Sequence, residues 1–408
     1  MSVDFKKSKL KYHLKVKNGR EVTNEVNYDD NVIDVYGSGG VFKYTDKKLF
    51  TGPSVLFGRK GTIGKPLYVE GDFWTVDTMY YTEIYPGNSP RYFYYLLEMF
   101  PWNQIVTQTA LPSIVGSEVE NYELNIPSEE TQKIVAKYLE CKCVEIEALL
   151  KHKENLIILL EQQRQSIITE AVTKGLNPNV KMKDSGIEWI GVIPEHWEVK
   201  KVKHFANHVG SGKTPSGGSE VYLDEGVPFL RSLNVHFDGI RLKDLAFISE
   251  ETNAEMKSSQ VKPLDILLNI TGASIGRTAI VPKDFGRANV NQHVCIIRLN
   301  QRKVYPFYFN MLMSSYVINQ QIWFAQNGSS REGLNFVQVK ELIFAIPPTL
   351  EEQREINKWL FNKQKAIFNL ISTVKEQIEK LKEYRQSLIY EAATGKINVR
   401  DTELDEVR

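Results

Sequence analysis

Two stretches of the chain place apolar side chains at alternating steps of four and three. The first runs through Val135, Leu139, Lys142, Ile146, Leu149, Lys153, Leu156, Leu160, Gln163 and Ile167; the second through Ile356, Leu360, Lys363, Ile367, Leu370, Val374, Gln377, Leu381, Tyr384 and Leu388. A repeat of 3.5 residues keeps one stripe of a helix facing a partner, so both stretches predict long helices with a coiled-coil seam. A lysine, Lys142 or Lys363, interrupts each seam at the same place. Ser128 and Thr349, each followed by acidic residues, supply capping hydroxyls, and Gly175 and Gly395 stand at the exits. At 1.5 Å per residue, about 45 residues make a rod roughly 65 to 70 Å long.

The two rods are copies. Arg164-Gln-Ser-Ile-Ile-Thr-Glu-Ala recurs as Arg385-Gln-Ser-Leu-Ile-Tyr-Glu-Ala, 221 residues later, and Gln132, Leu139, Ile146 and Leu160 meet Gln353, Leu360, Ile367 and Leu381 in the same register. Two seams of one pattern in one chain are expected to pair with each other. Ahead of each rod lies a segment rich in aromatic and β-branched residues and punctuated by glycine. Short apolar runs such as Ser54–Phe57, Asp265–Ile270 and His293–Arg298 read as strands, so each segment is expected to be a mixed α/β globule. The globules share only a weak repeat. Val55–Gly64 aligns with Ile266–Gly276 with one inserted residue, and Val76–Met79 is matched to Val290–His293. The expected order is a globule over 1–126, a long helix over 127–175, a connection over 176–185, a second globule over 186–346, a second long helix over 347–396 and a tail over 397–408.

Composition narrows the function classes. Lys plus Arg total 51 against 50 Asp plus Glu, so the net charge of +1 gives no overall pull toward nucleic acid or membrane, and any anion-binding surface must be local. The three cysteines, Cys141, Cys143 and Cys295, lack disulfide-framework or zinc-site spacing, which fits a reducing cytoplasm. The Lys-rich start has no signal-peptide core, and no apolar run approaches the roughly 18 residues of a membrane span. Gly212-Lys-Thr214 lacks the first glycine of a P-loop, since Asn207 occupies its place, and His204 and His208 lack the glutamate of a zinc-protease motif. No catalytic constellation and no metal site emerge.

The glycine loops remain. Ser38 in Gly37–Gly40, Arg59, Lys60, Thr62 and Lys65, then Lys213 and Thr214, and Thr271, Ser274 and Arg277 combine exposed backbone N–H groups, hydroxyls and cations. Such mixtures contact phosphates and read base edges, so these residues, with Arg231 and with Arg331 in the polar Asn327–Gly333 stretch, are candidate DNA contacts. Trp102, Trp197 and Trp323 are expected to fill cores.

The whole pattern resembles the DNA-specificity subunits of type I restriction-modification systems. The likeness rests on the alternation of globule and helix and on Ser185-Gly-Ile-Glu-Trp-Ile-Gly-Val-Ile-Pro-Glu-His-Trp197 opening the second half. It rests also on Ile126-Pro-Ser and Ile346-Pro-Pro before the rods, and on the twin Arg-Gln-Ser-x-Ile-x-Glu-Ala helix ends. The resemblance implies two α/β target recognition domains joined by two long α-helices in an antiparallel coiled coil, a pseudo-two-fold internal repeat within one chain. It implies double-stranded DNA, two modification (methyltransferase) subunits and restriction subunits as partners. S-adenosylmethionine, ATP and Mg would belong to those partners, with no cofactor and no catalysis in this chain. Because the globules have diverged, the expected target is asymmetric and bipartite. The readings set against this are a self-sufficient nuclease or methyltransferase fragment, for which no acidic metal cluster or cofactor loop is evident, and a purely structural coiled-coil adaptor, which leaves two globules idle.

Overall fold

A computed structural model describes residues 4–28, 32–107, 112–215, 217–326 and 333–399. The chain forms two compact units, one reaching to Asn155 and resuming at Val374, the other spanning Leu156–Thr373. Both contain the same mixed α/β globule.

In the first unit an antiparallel sheet has the order Leu14–Asn18, Met79–Ile84, Ser54–Gly58, Gly64–Val69. Ser54–Gly58 is buried along its whole length, which is why it reads as a continuous apolar run rather than an alternating one. Ile33–Gly37 pairs antiparallel with Gly40–Thr45 and parallel with Asp72–Thr75 in a second, five-stranded sheet. Helix Pro90–Glu98 starts with proline after the Ser89 cap and buries Tyr92, Phe93, Leu96 and Leu97. Lys6–Lys9 pairs with Glu123–Ile126 and so returns the chain to its own start just before the first long helix.

The second unit repeats this plan. Its antiparallel sheet runs Ala206–Ser211, Val294–Leu299, Ile266–Asn269, Thr278–Ile280; Val227–Leu230 pairs antiparallel with Ala246–Ile248 and parallel with Asn289–Val290; Glu198–Lys201 pairs with Ile343–Ile346; and Pro306–Met313 is the short helix. Helix Tyr316–Gln326 is additional, and it leaves Trp323 56% exposed rather than in a core, whereas Trp197 is fully buried. The strand registers also correct one alignment. Met79 faces Gly58 as Val294 faces Asn269, so the segment around Met79 matches the second unit one residue later than the sequence comparison placed it.

The long helices span Glu129–Lys174 and Leu350–Ala393. In the first unit the N-terminal half of one meets the C-terminal half of the other: Arg385 lies 3.6 Å from Glu147, and further along Lys153 Nζ donates to Gln377 Oε1 at 2.8 Å. As one residue number rises the other falls, so the pairing is antiparallel. In the second unit Ile168, Ala171 and Val172 share a core with Ile356 and Leu360. A buried glutamine fastens each helix start to its globule. Gln132 Oε1 accepts from Ser89 N at 2.8 Å while its Nε2 donates to Pro127 O at 3.0 Å; Gln353 does the same with Tyr305 N at 2.8 Å and Pro347 O at 3.1 Å. An aromatic ring covers each helix exit: Trp197 lies over Gly175, with its Nε1 donating to Glu352 Oε1 at 2.9 Å, and Phe5 lies over Gly395.

The seam differs from the one read off the sequence. Val135, Leu139, Ile146, Ile356, Leu360, Ile367 and Val374 are buried and Leu160 and Leu381 half-buried, but Leu149, Leu156 and Leu370 are 48, 42 and 53% exposed. In both helices every second seam position moves one residue toward the C-terminus. Cys143, Leu150, Ile157 and Arg164 replace Lys142, Leu149, Leu156 and Gln163, and Gln364, Ile371 and Ile378 replace Lys363, Leu370 and Gln377. The steps of four and three are kept but their phase is reversed, a choice that heptad spacing leaves open because both phases hold apolar residues. Lys142 and Lys363 therefore do not interrupt the contact. Leu139→Ala or Leu360→Ala is expected to cost about 2 to 5 kcal/mol, and Leu149→Ala or Leu370→Ala well under that, in urea unfolding.

Candidate nucleic-acid interface

Each globule gathers three loops at the end of its central sheet. In the first, the chain leaves Ser54–Gly58 and is tied at once to its neighbours: Arg59 N donates to Thr78 O at 2.8 Å, Ile114 N to Arg59 O at 3.1 Å and Gly61 N to Pro112 O at 3.2 Å. Thr107 Oγ1 and Ser113 Oγ lie 2.9 Å apart beside them. Lys60, Thr62 and Lys65 are exposed on this surface, while the Arg59 guanidinium lies over the Tyr80 ring, 5.5 Å from its centroid. Gly64 has a positive φ and stands against Trp102, where a Cβ would come within 2.8 Å of the indole. Trp102 itself packs on Phe57 and Phe100, so it supports the loop from below.

The second globule builds the same junction from other residues. Ile270 N donates to His293 O at 3.0 Å and Leu334 N to Ile270 O at 2.8 Å, repeating the Arg59 pattern. Thr271 bridges to Gly333, the described end of the polar stretch, and its Oγ1 lies 2.5 Å from His293 Nδ1. Gln292 Nε2 reaches the other ring nitrogen of His293 at 2.9 Å. Arg277 is half-exposed at the turn, with its N–H donating to Ser274 O at 3.1 Å.

The structure thus brings Arg59, Lys60, Thr62 and Lys65 onto one surface and Thr271, Ser274 and Arg277 onto the equivalent one. Ser38 stands apart, in the turn between Ile33–Gly37 and Gly40–Thr45 of the five-stranded sheet. Ser274 Oγ is already engaged by Asn269 Nδ2 at 3.0 Å. Arg231, a candidate DNA contact, is turned to its own globule, its Nη2 donating to Asp244 O at 2.6 Å and its guanidinium over Tyr222. Arg331 lies outside the described residues.

Thr78, Thr107, Ser113, Gln292 and His293 were not among the candidate contacts read from the sequence, and the strand registers bring them to the loops. Arg20 was not among those candidates either. Gly19 and Gly212 end equivalent edge strands, and a Cβ on either would come within 2.0 Å or 1.6 Å of a carbonyl oxygen, of Val76 or Val290 respectively. Each glycine is followed by an exposed cation, Arg20 in one globule and Lys213 in the other, with Thr214 exposed beside the latter. The pair is 193 residues apart, not 221, so the register of the rods could not reveal it.

Among the described residues, no group of His, Cys, Asp and Glu is arranged to hold a metal ion and no helix is long and apolar enough to cross a membrane. Burial pushes the thiols of Cys143 and Cys295 up to about 11 and about 12, which keeps both protonated and poor nucleophiles at neutral pH.

Residues 2–157 and 194–380 match the family model of the type I restriction modification DNA specificity domain. The EcoBI type I restriction enzyme specificity subunit of Escherichia coli is 24% identical over 322 residues, covering 75% of this chain and 65% of that one, so the matched region is just under two thirds of that relative's length. A putative type I restriction enzyme MjaX specificity subunit of Methanocaldococcus jannaschii is 27% identical over 76% of this chain and 69% of its own. Among solved structures, a chain from a study of complex assembly and conformational transition in a type I restriction-modification system superposes with a TM-score of 0.72 at 15% identity, covering 97% of this chain and 99% of that one. The HsdS subunit of Thermoanaerobacter tengcongensis superposes with a TM-score of 0.51 at 15% identity, over 97% and 98% of the two chains. With both globules and most of each long helix inside the matched segments, the chain belongs to the type I restriction-modification DNA specificity family.

Proposed function

We propose that this chain is the sequence-reading subunit of a type I restriction-modification complex, taking double-stranded DNA with two target recognition domains and docking two modification subunits and the restriction subunits. The observation that carries this reading is one loop junction built twice with different chemistry: Arg59, Lys60 and Thr78 in one globule occupy the places of Ile270, Thr271 and His293 in the other. A shared frame with unlike side chains is what a split, asymmetric target requires, because phosphate contacts set register while base-edge contacts carry sequence. The chain contributes recognition and no catalysis. Adenine methylation with S-adenosylmethionine, and ATP- and Mg-dependent cleavage, belong to the partner subunits, and the complex works in the cytoplasm, where the chromosome is. The competing reading, a self-sufficient modifying enzyme, has no supporting constellation among the described residues.

The net charge of +1 means that the isolated chain holds DNA weakly and that enclosing subunits add phosphate contacts. Co-expression with the methyltransferase partner and mapping of modified adenines is expected to give one split, non-palindromic motif; a chain that methylates DNA unaided would overturn the proposal. Inserting one heptad into each long helix keeps the seam in phase and adds about 10 Å, so the unread gap between the two half-motifs is expected to grow by about three base pairs in the same methylation maps. Arg20→Gln and Lys213→Gln in the assembled complex are each expected to weaken DNA binding for all sequences alike and to lower the salt slope by about one, measured by titration at several salt concentrations.

A further inference from the structure

At the centre of each loop surface the chain makes the same tight turn, and the internal repeat allows its two versions to be compared residue by residue. In the first unit Met79 N donates to Val76 O at 3.0 Å and closes a turn with Asp77 and Thr78 at its tip; in the second Val294 N donates to Asn291 O at 3.2 Å and closes one with Gln292 and His293. Backbone holds each turn from both sides. On one side Arg59 N donates to Thr78 O at 2.8 Å and Ile270 N to His293 O at 3.0 Å; on the other Arg20 N donates to Thr75 O at 2.9 Å and Gly212 N to Asn291 O at 3.1 Å. An exposed cation, Arg20 or Lys213, therefore flanks the turn in both units. The first tip residue is what changes, from the acid Asp77 to the amide Gln292.

Asp77 is exposed, and among the described residues its carboxylate makes no hydrogen bond or ion pair. On a surface that meets DNA such a group is repelled by the phosphates its cationic neighbours attract, so it gains only against a hydrogen-bond donor. The donors in the major groove are the exocyclic amines of cytosine and adenine. Adenine sets the acceptor N7 beside its amine, whereas cytosine presents N4 alone, and a carboxylate therefore favours cytosine. Gln292 is half-buried and its amide is oriented. Its Nε2 lies 2.9 Å from His293 Nε2, and Thr271 Oγ1 lies 2.5 Å from His293 Nδ1. An amide nitrogen can only donate, so the neutral ring accepts at Nε2, carries its proton on Nδ1 and gives it to Thr271. One N–H of Gln292 is thus spent inward, while Oε1, which has no partner among the described residues, and the second N–H remain. An acceptor beside a donor is the complement of adenine N6 and N7.

We propose that this turn is where each recognition domain reads one base: Asp77 takes a cytosine through N4 in one half of the target, and Gln292 takes an adenine through N6 and N7 in the other, with His293 and Thr271 as positioning residues. The adenine is not the one that is modified, because a base drawn out of the stack for chemistry presents no edge in the groove. The first unit needs no counterpart of the His293 contact, since both oxygens of a carboxylate accept whichever way it turns, and Thr78 stands in that place. This rests on the subunit reading above.

The test uses the full chain co-expressed with its methyltransferase partner, with the modified adenines and the sequence around them mapped by sequencing. Gln292→Glu leaves acceptors alone and is expected to shift the preference at one position of one half-motif from an A·T to a G·C pair, by about tenfold or more. Asp77→Asn is expected to make the reverse exchange at one position of the opposite half. Gln292→Ala and Asp77→Ala, which add no charge, are expected to relax the same two positions to any base. His293→Ala, which frees the amide, is expected to broaden the Gln292 position alone and to leave the salt slope of binding unchanged. A motif unmoved by either exchange, a change spread over several positions, or a loss of methylation on all sequences alike with the Ala variants would overturn the assignment. A wild-type complex that methylates no split motif would instead remove the subunit reading.

Discussion

A long helix with a single apolar stripe cannot be stable in water by itself, and here each of two such helices finds its cover in the other. Everything else in the chain is arranged around that contact. Because the pairing is antiparallel, each unit receives the first half of one helix and the second half of the other, and so the first unit draws on both ends of the sequence while the second is the continuous stretch between them. A globule, its short helix and two half-helices make one core: in the first unit Leu10, Phe57, Tyr92, Leu139 and Ile389 belong to a single cluster, and in the second Trp197, Leu268, Phe309, Ile168 and Leu360 do. The energetic unit is therefore not the globule seen in the sequence, because each core joins a globule to half-helices that lie far from each other along the chain.

That dependence explains what the sequence disclosed. The helices were legible because burial against a like partner imposes a periodic pattern and caps on every turn, and the 221-residue register survives in the rods because both faces of the contact must be kept at once. Gln132 and Gln353 were visible as matched residues, yet their role was not, since a glutamine in a heptad pattern looks like a defect until the backbone N–H groups of Ser89 and Tyr305 are seen to need it. The phase of the seam was misread for a related reason. Arg164 and Arg385 look like surface charges in a linear pattern, and only packing shows that they hold seam positions.

The loops were legible as chemistry but not as geometry. Lys60, Thr62, Thr271 and Arg277 announce themselves by composition, whereas Thr78 and His293 owe their place to strand pairing across 20 or more residues, which no local pattern encodes. Arg20 shows the limit most clearly. Its counterpart Lys213 carries a glycine-rich neighbourhood that draws attention, while Arg20 follows a lone Gly19 whose tight approach to the Val76 carbonyl appears only in three dimensions.

The glutamine ties at Gln132 and Gln353 have one more consequence. They bolt each globule to its own helix rotationally as well as lengthwise. Adding a single amino acid to such a helix turns whatever is bolted beyond it by about 100°. Small changes of length thus act as steps of a screw, and the separations open to this architecture form a sparse ladder of allowed rungs instead of a continuum. Gradual drift from one rung to the next is closed to it by the 3.6-residue turn of the α-helix.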